Sequence, residues 1–158
     1  MNITKVITFI ACVAATLAVG AVAGIATAQN ITNWYVYINK PWFNPPNYLF
    51  GPVWTVLYLL MGISYYMILT TLTTAPKRAT AVIVFGVQLA LNFAWSFIFF
   101  KYHQLGWALV EIIAMWVSIF TMIVVFSRVN KIAAIMQIPY ISWVSFASIL
   151  NFAIWRLN

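Results

Sequence analysis

Trp54, Tyr58, Met61 and Tyr65 recur at intervals of four, three and four residues, so a helix through them carries all four on one face. That face is aromatic, polarizable and uncharged. A second stripe, Gln88, Asn92, Trp95 and Phe99, has the same spacing and adds two amides to the ring surface. The amides are costly to leave unpaired at bilayer depth, so this face looks at protein, water or a ligand. They serve either as bonds between helices or as contacts to a guest. A third set, Trp143, Ala147 and Leu150, places a small residue one turn from a large ring, which leaves a slot for a planar group. These residue types are suited to stack against and orient a guest. Conventional catalysis lacks its parts, because Cys12, His103 and Glu111 are the only cysteine, histidine and acidic residue. No acid–base pair, nucleophile triad, disulfide or metal cluster is available from them.

Glu111 lies on a stripe with Trp107, Ala114 and Ser118. An ionisable group at membrane depth is a functional candidate by default. The alternative is a structural residue, neutral or paired with a basic side chain near a helix end.

The elements that position these stripes follow from composition. Of 158 residues, 65% are hydrophobic and 6% charged, far outside the range of a water-soluble domain. A span needs about 20 apolar residues, and the gaps between basic residues accommodate five helices with cores near 6–28, 51–73, 80–100, 106–127 and 134–155. The fold class is therefore all-α, one transmembrane bundle covering 1–158. The continuous apolar runs exclude the alternating pattern of a membrane barrel. A net charge of +7 raises nucleic acid as a partner, but the basic residues sit singly or in pairs at segment ends, which suits a bilayer and not a nucleic acid. Lys5, Lys77, Arg78, Arg128 and Lys131 fall at one end of the five spans, and Lys40, Lys101 and Arg156 at the other. The positive-inside rule then places the N-terminus in the cytoplasm.

Residues 29–50 form a long connection for which two readings stand. Trp34, Tyr35, Tyr37, Trp42, Phe43 and Tyr48 make it apolar, as an interfacial aromatic belt would be. Phe43 together with Pro45 and Pro46 points instead to a stiffened lid over a pocket. Thr32 or Asn33 is positioned to cap a short helix through Ile38. The second span is expected to begin near Gly51, with Pro52 in its first turn. Gly20 and Gly24 form a small-xxx-small pair for close helix approach, within the bundle or to a second copy. His103, in a short connection, reads as a solvated interfacial residue.

The motifs GPVWTVLYLLMG, QLALNFAWSFIFF, GWALVE and PYISWVSFASILNFAIWRLN, with NPP before them, closely resemble the tryptophan-rich sensory protein and translocator protein family, TspO/MBR, over nearly the whole chain. The resemblance implies a five-helix membrane bundle, usually a homodimer, with a pocket beneath the first loop. The implied guests are porphyrins, haem-like tetrapyrroles and benzodiazepine-type ligands, bound as ligands with no resident cofactor. Carried over by position, the pocket includes Trp34, Pro45, Trp54, Asn92, Trp95, Trp107, Trp143, Ala147 and Leu150. Trp54 and Trp143 match the pair attributed a catalytic role in members that degrade protoporphyrin in light. Two departures matter. Phe152 stands where the family's sterol pattern has tyrosine, which speaks against cholesterol, and Glu111 stands where many relatives have aspartate. A receptor or carrier and a photochemical enzyme are thus the two main functions. An ion-coupled transporter fits less well, since one carboxylate and no evident repeat offer little for coupling.

Overall fold

The computed structural model describes Ile3–Asn158, and every regular element among those residues is helical. In chain order these are α1 (Ile3–Asn30), α2 (Asn47–Thr70), α3 (Ala75–Ser96), α4 (Leu105–Ser127), α5 (Lys131–Ile135) and α6 (Ile138–Leu157). Two of them end in a single π-helical turn, α1 through Ile31–Tyr35 and α3 through Phe97–Lys101. Counting those extensions, and taking α5 with α6, five segments are long and apolar enough to cross a membrane.

The chain runs up and down. Helix α1 packs chiefly on α2, α3 on α4, and α4 on α6. Close approach of α1 to α2 rests on Gly62, where an added Cβ would stand 2.7 Å from the Val13 Cα and 2.6 Å from the Thr16 hydroxyl. Gly20 works the same seam: a Cβ there would sit 2.3 Å from the Tyr58 ring. Gly24 meets nothing within 4 Å, so only one of the two small residues predicted to pack does so inside the bundle. The core between α2, α3, α4 and α6 is built from Met61, Ile112, Met115, Ile119, Met122 and Phe126, all essentially inaccessible.

Several boundaries differ from the sequence expectation, among them the start of α3 at Ala75, five residues before 80, with Pro76 in its first turn. Helix α2 starts at Asn47, four residues before Gly51, because Pro45 and Pro46 bar helix upstream and Pro46 is itself the N-cap. Thr32 and Asn33 cap nothing, since α1 continues through them as the π turn. The last span is broken: α5 begins with Asn130 as N-cap, accepting from Ile132 N at 3.0 Å and Ala133 N at 3.1 Å, and α6 restarts at Ile138 with Pro139 in its first turn.

The two ends of the bundle are tied separately. At one, Asn130 donates to Thr71 Oγ1 at 2.9 Å and Arg78 donates to Thr71 O at 3.0 Å. At the other, Asn39 and Asn158 exchange bonds of 3.0 and 2.9 Å, holding the first loop to the C-terminus. Lys40 closes the turn after α1, its ammonium donating to the carbonyls of Tyr35, Val36 and Ile38 at 2.7, 3.1 and 2.8 Å.

Candidate functional site

At the end of the bundle that carries the first loop, α1, α2, α3 and α6 stand apart around a cavity of about 610 Å³. Ligand pockets of small organic guests fall at roughly 300–1,000 Å³. The helices deliver the loop-end members of the predicted stripes. Trp54 and Tyr58 enter from α2, Trp95 from α3, and Trp143, Ala147 and Leu150 from α6. The rings hold one another: Trp54 lies 5.7 Å from Tyr58 and Phe50 lies edge-on to Trp143 at 6.2 Å between centroids.

The two π turns supply the part of the wall nearest the loop. One extra residue in a turn shifts the register of every side chain after it. Through that shift Tyr35 is turned inward to 2% exposure, and Phe99 and Phe100 are both buried, although adjacent residues on a regular helix point about 100° apart. Tyr35, Phe99 and Phe100 all line the cavity.

The remaining candidates are not brought to the cavity. Asn92 lies behind its floor, accepting from the Tyr58 hydroxyl and donating to the Tyr140 hydroxyl at 3.0 Å. Trp34 stacks on His103 with ring centroids 4.1 Å apart, outside the lining. His103 thus gains an aromatic partner at a residue of positive φ, 56°, where the connection to α4 turns sharply. Phe43 packs edge-on to Phe146 at 6.4 Å, and Pro45 and Pro46 lead into α2; none of the three touches the cavity. Trp107 lies on the outer face of α4, 69% exposed, because that helix turns Ala108, Ile112 and Met115 toward the core instead. Among the described residues Glu111, one turn on, forms no ion pair, and both its carboxyl oxygens are buried without a hydrogen-bond partner.

Most polar groups facing the cavity are already committed. Trp95 Nε1 donates to Asn151 Oδ1 at 3.2 Å, Asn151 Nδ2 donates to Leu105 O at 3.0 Å, and the Tyr35 hydroxyl donates to Asn44 Oδ1 at 2.6 Å. Among the described residues the indole N–H groups of Trp54 and Trp143 have no hydrogen-bond partner. No charged side chain is in the lining. The exposed lining residues, Ala21, Gly24, Ala28, Asn47, Tyr48, Gly51 and Thr55, all belong to α1 and α2, so the mouth lies along the seam between those helices. Among the described residues no group of histidine, cysteine and acidic side chains is placed to hold a metal ion.

The sequence pattern of the TspO/MBR family matches residues 12–156. The chain belongs to the TspO/MBR family. It is 42% identical over 158 residues to the tryptophan-rich protein TspO of Archaeoglobus fulgidus, covering 100% of this chain and 99% of that one. It is 38% identical over 154 residues to the tryptophan-rich protein TspO of Chlorobaculum tepidum, with 98% of each covered. It is also 36% identical over 126 residues to the human translocator protein, covering 79% of this chain and 75% of that one. Family membership and the five apolar helices together make it an integral, multi-pass membrane protein. Within a TspO/MBR protein, Tyr35, Phe50, Phe99, Phe100 and Asn151 are lining residues that the sequence reading did not select. Phe99 carried a signal, four residues after Trp95 on the same stripe, and Tyr35 was one of the six aromatics of the first connection.

Proposed function

We propose that the protein is a membrane receptor or carrier that holds a flat, largely apolar tetrapyrrole, a porphyrin or haem-like ring, in the cavity between α1, α2, α3 and α6, with benzodiazepine-type ligands as alternative guests. The observation that carries this reading is the convergence of Trp54, Trp95 and Trp143 on one uncharged cavity, with the small Ala147 one turn from Trp143. Aromatic pairs add about 0.5–1.5 kcal/mol each beyond the area they bury, and micromolar affinity requires about 8 kcal/mol net. The two unpaired indole N–H groups are donors available to a guest, and the uncharged lining leaves a tetrapyrrole's carboxylates to the mouth. The test is titration of protoporphyrin IX against intrinsic tryptophan fluorescence. The wild type is expected to quench saturably, and Trp143→Ala to weaken binding about tenfold, the equivalent of roughly 1.4 kcal/mol. Unsaturable quenching, or a Trp143→Ala variant that binds as the wild type does, would exclude this site.

A second reading is light- and oxygen-dependent degradation of the bound porphyrin, with Trp54 and Trp143 as the reactive side chains. It is favoured by the presence of both indoles on one cavity. The porphyrin would supply the photochemistry and the protein its orientation. Product formation under illumination that persists unchanged in the double variant Trp54→Phe/Trp143→Phe leaves the binding function alone. A homodimer and a cytoplasmic N-terminus remain part of the same proposal. The latter rests on the five basic residues at the α2–α3 and α4–α5 end against three at the loop end.

A further inference from the structure

Below the cavity floor the bundle core holds polar atoms that its packing does not satisfy. Gln88, with no exposed surface, has both Nε2 and Oε1 buried without a partner. Gln137, equally buried, has Oε1 unpaired and reaches Leu60 O through Nε2 only at 3.5 Å. The two belong together by register. Asn92 and Tyr140 are directly bonded across α3 and α6. Gln88 precedes Asn92 by four residues and Gln137 precedes Tyr140 by three, so each lies one turn back on the same face. Helices α3 and α6 both run toward the loop end, so both steps lead away from the cavity to one level of the core.

That level is also where the last span breaks. Gln137 N donates to Ala134 O at 3.0 Å in a tightened turn, which frees Ala133 O from its usual partner four residues on. Ser64 Oγ takes up that carbonyl at 2.9 Å. Pro139 has no amide hydrogen, so Ile135 O lacks its own i+4 donor.

We propose that Gln88 and Gln137 form an internal water site. It completes a hydrogen-bonded column from the cavity wall, through Tyr58, Asn92 and Tyr140, to the α5–α6 break. The open positions include both donors, on Gln88 Nε2, and acceptors, on the two Oε1 atoms. A cation would leave the donors unpaired and an anion would leave the acceptors unpaired; water satisfies both kinds. Leaving such groups dry forfeits the hydrogen bonds they make in water, and buried waters ordinarily make about three bonds to otherwise unsatisfied groups. The site makes the break a wet joint under the segment of α6 that carries Trp143, Ala147 and Leu150. It is independent of which guest the cavity takes.

Magic-angle-spinning NMR of the full chain in lipid bilayers, with ¹⁵N-glutamine labelling, tests this. The chain has four glutamines, and Gln29 and Gln104 are exposed, so the two buried amides are assignable by contrast. Water-to-amide transfer is expected at the Nε2 of both Gln88 and Gln137, with loss of signal at Gln137 in folded Gln88→Leu. Absence of transfer to Gln88 in the wild type, or a direct amide-to-amide contact between Gln88 and Gln137, overturns the proposal. So does a Gln137 signal unchanged in folded Gln88→Leu. The wild-type spectrum decides the matter even where the variant does not fold.

Discussion

The half of the bundle beside the first loop and the half opposite it use the same amino-acid palette to different ends. In the opposite half, Ile68, Met122 and Phe126 interdigitate with no exposed surface, and Phe85 lies between Tyr65 and Phe126 in a run of stacked rings. In the loop half the rings stand around a space. Trp54 and Trp143 are only half-buried, and α1 contributes glycine and alanine where a large side chain would fill the void. Ring density is therefore no guide to a binding site in such a chain. What distinguishes the cavity is that α1 faces its aromatics with small side chains, Gly20, Ala21, Ala23, Gly24 and Ala28.

Substitutions at three positions break or sharpen this contrast. Gly62→Val has the largest expected effect: its Cβ meets the α1 backbone, so destabilisation should reach at least the roughly 3 kcal/mol upper end of overpacking. Thermal unfolding in detergent should show it, and a variant as stable as the wild type would mean that the α1–α2 seam yields. Gly24→Leu is the counterpart in the loop half. Its Cβ meets open space at the mouth, so stability should hold within about 0.5 kcal/mol, as for surface changes, while the stopped-flow association rate for protoporphyrin IX falls. An unchanged rate would place access elsewhere. Glu111→Gln should do least. The carboxyl bonds nothing in the protein and does not line the cavity, so binding should stay within about twofold, a difference of about 0.4 kcal/mol. A larger loss would reinstate Glu111 as a functional group.

Much of the cavity was legible because 3.6-residue periodicity holds wherever a helix is straight. Trp54, Trp95, Trp143, Ala147 and Leu150 were placed by spacing or by resemblance, and all five meet. The inward placement of Tyr35 and Phe100 was not legible, since a π turn alters the register after it and leaves no compositional mark. Trp107 shows a different limit. In lipid a ring on the outer face is as compatible with its surroundings as one in the core, so hydrophobicity cannot tell the two faces of α4 apart. For the prolines of the first loop the sequence left a lid and an interfacial belt both open; what they fix in the fold is where α2 begins. The break before α6 is written in Pro139, but the capture of the freed Ala133 carbonyl depends on Ser64 arriving from α2.

Lys40 carries a last consequence. Its ammonium is held by three peptide carbonyls and lies 5.1 Å from the centre of the Tyr35 ring. No counter-ion takes part, so the clamp is made of dipoles and a quadrupole. Dissolved salt screens attraction between separated charges much more than such short contacts. The loop end should therefore keep its shape from dilute to concentrated brine, and with it the position of Tyr35 in the cavity wall.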